Sequence, residues 1–236
     1  MRGEAQSGAF RLAYFARLSR RGAPVVIYIE GDGFAWRTRS MPAGDPTPQD
    51  PIGLRLAAVD PSPNVVYLAR PCQFVRNDGA CRPAFWTDLR FSEAVIASMD
   101  HAIGIVVGPH AAPLHLVGYS GGGAVAALVA ARRRDVASLR TIAGNLDPVA
   151  LNDFHRVSPM RASLDPILAA PALAGLPQKH FVGGRDAVVP AFVAGNFARA
   201  LGDTRCVRVL VAAGIDHGEG WVSFWRAEAE KLPACD

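Results

Sequence analysis

The sequence predicts one α/β domain, a mostly parallel central sheet of about eight strands with helices on both faces. Three observations predict it. Short β-branched runs alternate with helical stretches, the pattern of right-handed crossovers between parallel strands. The 236 residues suit one large domain, 1–236, better than two small ones. Half of them are apolar, enough for a sizeable core and too many for a disordered chain.

Phe10 to Phe15 is apolar and aromatic, as an early strand requires. Val25 to Ile29 is a β-branched strand ending in Glu30-Gly31-Asp32-Gly33. A Pro-rich loop over 40–51 leads to a helical segment through Leu54, Leu56 and Val59. Val65 to Ala69 is the next strand, and an irregular section with Cys72 and Cys81 leads into a helix over about Ser92 to Val107. Leu114 to Val117 is a strand, and Ala124 to Arg134 has helical composition. Leu139 to Ala143 is again a strand. Residues 145–177 are rich in Pro and Asp and hold only short helical pieces, so they form a small cap-like excursion. A strand from Lys179 to Val182, a helix over about Ala191 to Leu201, a strand from Cys206 to Val211 and a helix over about Glu219 to Leu232 complete the chain.

Composition narrows the function classes. Net charge is only +4. The one dense basic run, Arg132-Arg133-Arg134, ends an apolar helical stretch, where cations complement the helix dipole and sit in solvent. No groove-reading motif accompanies it, so nucleic acid is not an expected partner. Ala102 to Ala131 carries no charged residue, yet Pro109, Pro113 and six glycines interrupt it. It therefore predicts helix, strand, turn and helix rather than a membrane span. No secretory n-region and h-region opens the chain.

Parallel sheets place ligands at the carboxyl ends of their strands, so the turns there are the places to search. Leu114 to Val117 runs straight into Gly118-Tyr119-Ser120-Gly121-Gly122, a G-x-S-x-G motif between strand and helix. A serine on so tight a turn needs small residues two before and two after it, which Gly118 and Gly122 supply. The helix that follows offers free N–H groups to developing negative charge. Ser120 is the candidate nucleophile.

This elbow, an acid after a late strand and a histidine near the C-terminus together resemble the α/β-hydrolase superfamily over about Phe10 to Leu232. Within it, Tyr28-Ile29-Glu30-Gly31-Asp32-Gly33 and Arg70-Pro71-Cys72-Gln73-Phe74 are similar to small bacterial exported or lipoprotein-like hydrolases. The resemblance implies the α/β-hydrolase fold and the chain order Ser, acid, His. The acid is then Asp186, which ends Phe181-Val182-Gly183-Gly184-Arg185-Asp186, and the base is His217 in Gly214-Ile215-Asp216-His217-Gly218. Asp147 is a competitor for the acid, with helix capping before Pro148 as the preferred role. Asp216 is expected to hydrogen-bond within its loop. His115 and His180 lie in strands and are structural, His101 and His110 flank a helix, and His155 sits where it can reach the pocket.

The resemblance also implies two backbone donors for an oxyanion, the N–H of Gly121 and that of Asp32, with Gly33 as second choice to Asp32. The superfamily commonly has His where this chain has Glu30, which is expected to pair with an arginine such as Arg70. Trp36, Tyr119, His155 and Trp221 are candidate substrate contacts, while Trp86 and Trp225 are read as packing.

Four cysteines allow three pairings. Cys72–Cys81 within one loop is favoured. Cys206–Cys235 is favoured because the final helix returns toward the start of the last strand. Unpaired thiols remain the alternative. If both pairs form, the protein works in an oxidising compartment, as an exported protein does. No metal-ligand spacing accompanies these cysteines, and serine chemistry needs no cofactor. The expected activity is hydrolysis of a small-molecule ester through an acyl-enzyme, with thioester or amide open to the same machinery. A non-catalytic binding protein on the same scaffold is the alternative. A dienelactone-type hydrolase would carry cysteine where Ser120 stands.

Overall fold

The computed structural model describes residues 1–75, 78–108 and 113–236. Its strands are β1 (Arg2–Ser7), β2 (Phe10–Leu18), β3 (Val25–Ile29), β4 (Asn64–Leu68), β5 (Leu114–Tyr119), β6 (Val136–Ile142), β7 (Gln178–Gly183) and β8 (Val207–Ala212). The helices are α1 (Ile52–Val59), α2 (Glu93–Val107), α3 (Gly121–Ala130), α4 (Pro148–His155), α5 (Pro166–Ala169), α6 (Phe192–Ala200) and α7 (Trp221–Glu228).

The described strands form one eight-stranded sheet in the order β1-β2-β4-β3-β5-β6-β7-β8. From β4 to β8 all neighbours are parallel, but β2 pairs antiparallel with both β1 and β4. The sheet is therefore mixed, which the alternation of elements did not predict. No strand was expected at β1, because Arg-Gly-Glu-Ala-Gln-Ser holds no β-branched or large apolar residue. Its inward positions are small, with Ala5 and Ser7 buried, and a two-residue turn at Gly8-Ala9 (Gly8 φ 58°) folds it back onto β2.

Alternation along the strands feeds two cores. Val25, Ile27, Ile29, Leu114 and Leu116 join the cluster that includes α2, α3 and α6. Val26, Tyr28, Val65, Tyr67 and Val117 join the cluster that includes α1 and α7. Each fully buried aliphatic side chain contributes roughly 1.5–3 kcal/mol, so a one-residue slip that exchanged the faces is strongly disfavoured. On the second face Trp225 donates to the Tyr28 hydroxyl at 2.7 Å, which ties α7 to β3.

Helix bounds differ from the sequence pattern at α3. The helix begins directly after Ser120 and ends at Ala130, short of the arginine run. Arg132 pairs with Glu93 at 2.6 Å, and Arg133 with Asp100 and Asp135 at 2.7 and 2.6 Å, so two of the three cations are held by carboxylates. Among the described residues no helix is long and apolar enough to cross a membrane. Cys72 pairs with Cys81 and Cys206 with Cys235, the second pair fixing the C-terminal tail beside the start of β8. By restricting the unfolded chain each bridge contributes about 2–4 kcal/mol.

The strand histidines are structural. His115 Nδ1 lies 2.8 Å from Ser138 Oγ, and His180 Nδ1 lies 2.9 Å from Thr141 Oγ1. His101 meets Ser7 Oγ at 3.1 Å, and His110 lies outside the described residues. Burial alone lowers the His180 pKa from 6.5 to about 3. Between those values the unfolded chain binds a proton that the folded chain does not, so stability falls as pH drops from 6.5 toward 3. At full effect this amounts to on the order of 5 kcal/mol. Unfolding of wild type and His180→Gln across that window should show a shallower acid slope for the variant. Equal slopes would contradict this assignment.

Candidate active site

The chain winds from β3 to β4 on one side and from β5 onward on the other. This reversal opens a crevice at the carboxyl ends of β3 and β5, where ligands bind in such sheets. Two turns meet there, Glu30 to Gly33 after β3 and Ser120 after β5. Because β3 and β5 are parallel neighbours, the glycine-rich loop after one and the elbow after the other come to one place.

Ser120 has φ 51° and ψ −124°, a conformation rare for a side-chain-bearing residue, which exposes its hydroxyl at the head of α3. The flanking glycines are sterically required. A Cβ on Gly118 would fall on the carbonyl of Gly122, and one on Gly122 would fall on the carbonyls of Ile29 and Glu30. The hydroxyl lies 3.0 Å from His217 Nε2, and His217 Nδ1 lies 2.9 Å from Asp186 Oδ2. The other oxygen of Asp186 accepts the N–H groups of Val188 and Val189, each at 2.8 Å. The Asp186 side chain is fully buried, while His217 is about a fifth exposed at 21%. Those two N–H donors and the His217 contact hold the carboxylate in a single orientation.

Tyr119 and Trp221 stand behind the histidine. The Tyr119 hydroxyl and the Trp221 indole N–H both donate to the His217 carbonyl, at 2.8 and 3.1 Å. Trp221 is entirely buried against α7 and the sheet, so the expectation that it contacts substrate is corrected. Its place at the first residue of α7 turns the ring inward. Tyr119 is nearly buried too, with its hydroxyl on the His217 backbone carbonyl.

Asp147 caps α4 by accepting Ala150 N–H at 2.9 Å and also accepts from Asn196 at 2.6 Å, as its preferred role requires. Asp216 accepts the N–H groups of Gly218 and Glu219, and these bonds lower its pKa.

The Glu30–Arg70 pairing expected from the sequence does not form. Glu30 is buried and accepts from Gly31, Gly53 and Leu54 N–H and from the Tyr67 hydroxyl. It thereby sits at the N-terminus of α1, where a carboxylate complements the helix dipole. Burial nevertheless raises its pKa, against the lowering by those hydrogen bonds. Arg70 bridges instead to Asp32 at 3.3 Å, and Arg90 Nε approaches the other Asp32 oxygen at 3.2 Å. Burial lowers the Arg70 pKa to about 10 against the opposing pull of Asp32, which leaves it charged near neutrality.

A cavity of about 990 Å³ opens over Ser120. Asp32, Trp36, Thr38 and Arg39 line one wall, and Thr87, Asp88 and Arg90 another. The 145–177 excursion supplies a third with Asn145, Leu151, Asn152, His155, Val157 and Met160. Trp36 and His155 both line this cavity, with His155 Nε2 2.8 Å from the Val188 carbonyl. Arg90 and Asn145 were not singled out in the sequence. Asn145 follows β6 as Ser120 follows β5, and its N–H donates to the Ser120 carbonyl at 2.9 Å, so strand-end position was the available signal. Among the described residues the N–H groups of Asp32 and Gly121 have no acceptor.

No family model matches the chain, and no curated relative does. Solved structures do. An alpha-beta serine hydrolase homologue from Coxiella burnetii is 16% identical with TM-score 0.65, covering 97% of this chain and 95% of its own. An esterase of Pyrococcus furiosus is 12% identical with TM-score 0.65, covering 99% and 91%. Mouse alpha/beta hydrolase domain-containing protein 10 is 12% identical with TM-score 0.61, covering 96% of each chain. The chain has the α/β-hydrolase fold. At these identities the likeness carries the architecture, and the chemistry is argued from the residues.

Proposed function

We propose that this protein is a serine hydrolase that cleaves a small-molecule carboxylic ester through an acyl-enzyme on Ser120. The observation that carries this is the relay from Ser120 Oγ to His217 at 3.0 Å and on to Asp186 at 2.9 Å, at the floor of an open cavity. His217 Nε2 takes the serine proton as Oγ attacks the ester carbonyl. Asp186 accepts from Nδ1, fixing the tautomer and stabilising the imidazolium without taking its proton. Negative charge on the carbonyl oxygen is received by the N–H groups of Asp32 and Gly121. Collapse expels the alcohol, which takes the proton from His217. Water, activated by the same imidazole, then releases the acid.

Thioester and amide substrates fit the same steps and differ in the leaving group. Exposed Trp36, Val157 and Val188 at the cavity offer apolar surface to an acyl or alcohol group. The two disulfides support work in an oxidising, exported setting.

Hydrolysis of p-nitrophenyl esters of increasing acyl length tests the reaction class. Expected is turnover of at least part of the series, with a stoichiometric first burst of p-nitrophenol where deacylation is the slower step. Folded protein that turns over no ester, thioester or anilide would overturn the proposal.

A further inference from the structure

The turn after β4 holds two side-chain-bearing residues in the left-handed region, Cys72 at φ 73° and Phe74 at φ 59°. Such conformations persist only where surrounding structure enforces them, and they cluster at functional sites. Here the enforcement is visible. Cys72 is bridged to Cys81, Phe74 N–H donates to Thr47 Oγ1 at 2.8 Å, and Gln73 N–H donates to the Arg70 carbonyl at 3.1 Å. Between the two strained residues lies Gln73, whose side chain is buried.

The Gln73 amide is fully assigned by its partners. The Arg70 N–H needs an acceptor and finds Oε1 at 3.0 Å, so Nε2 is the donor, and it meets the Gly31 carbonyl at 3.0 Å. That carbonyl belongs to the same peptide group as the N–H of Asp32. The described chain has no cis peptide, and in a planar trans peptide C=O and N–H point in opposite directions. Holding the Gly31 oxygen on one side therefore aims the Asp32 N–H to the other. This peptide lies against the elbow, since a Cβ on Gly31 would come within 3.1 Å of the Tyr119 ring and 3.3 Å of Ser120 Cβ.

Resting on the serine-hydrolase reading above, we infer that Gln73 is a positioning residue that orients the Gly31–Asp32 peptide as an oxyanion donor. Arg70 acts in concert from the same turn, holding the Asp32 carboxylate while its backbone N–H orients Gln73. The Arg70-Pro71-Cys72-Gln73-Phe74 segment is then the support of the oxyanion loop.

Gln73→Met keeps the length and removes both hydrogen bonds. Its kcat on a p-nitrophenyl ester should fall about 10- to 100-fold, part of the effect of losing an oxyanion donor outright, with KM within about twofold. The rate of Ser120 phosphonylation by a fluorophosphonate should fall by a similar factor, since charge also develops on the phosphoryl oxygen there. Gln73→Glu is the second variant, keeping the acceptor for Arg70 and losing the donor when ionised. Its activity relative to wild type should climb as pH falls and the protonated carboxyl again donates. Unchanged kcat and phosphonylation rate in a folded Gln73→Met, or a Gln73→Glu to wild-type ratio near one from acid to alkaline pH, would overturn the inference. Wild type that reacts with neither ester nor fluorophosphonate would instead overturn the underlying serine-hydrolase reading, and the inference with it.

Discussion

Replacing Ser120 with alanine should lower kcat on any turned-over ester by on the order of 10⁴- to 10⁶-fold while leaving the fold intact. The loss corresponds to about 5–8 kcal/mol of transition-state stabilisation. The side chain's only hydrogen-bond partner among the described residues is His217, so its removal orphans no buried group. Alanine must still adopt φ 51°, as serine does, so elbow strain is nearly the same in both proteins. Unfolding midpoints should therefore agree within what about 0.5 kcal/mol produces. Steady-state assays beside thermal unfolding check both halves. A variant that keeps a tenth of the activity would place the nucleophile elsewhere.

Asp186→Asn should cost about 10⁴-fold in kcat, and the geometry says why. Oδ1 accepts the Val188 and Val189 N–H groups, so the amide oxygen of asparagine stays there and its NH₂ faces His217 Nδ1. The imidazole then becomes an acceptor at Nδ1 and carries its proton on Nε2, the nitrogen that must take the serine proton. The base is present in the wrong tautomer. KM should change little, because Asp186 is buried beneath the histidine and away from substrate. A loss under tenfold would contradict the role assigned to Asp186. Asp147 is poorly placed to replace it, since both its oxygens are engaged by Ala150 and Asn196.

Most of the parallel sheet was legible because buried strands advertise themselves as β-branched runs, and because a G-x-S-x-G turn between strand and helix is sterically demanding. Ser120 was singled out by that turn, whereas Asp186 and His217 were placed by resemblance to the α/β-hydrolase order of serine, acid and histidine, each on the turn after a late strand. β1 was not legible. Its inward positions are Ala5 and Ser7, which carry the period of a strand without its usual residues. The Glu30–Arg70 expectation failed because charge complementarity in sequence does not say which carboxylate lies nearer. Glu30 is drawn under α1 by Gly53 and Leu54 N–H, and Asp32, one pleat further, meets the arginine. Trp221 was misplaced on the ground that proximity to His217 in sequence means proximity to substrate. At the first turn of α7 it is the inward helix face that decides, and the indole lies under the histidine rather than over it. The strain at Cys72 and Phe74 had no signature, since neither is a residue type that favours the left-handed region.

The most direct test of the central claim is covalent: treat the folded protein with a fluorophosphonate and map the adduct by peptide mass spectrometry. The geometry predicts a single phosphonylated peptide, modified at Ser120, absent in Ser120→Ala and formed far more slowly in His217→Ala. Folded protein that stays unlabelled would contradict it, and would favour a binding protein built on this scaffold.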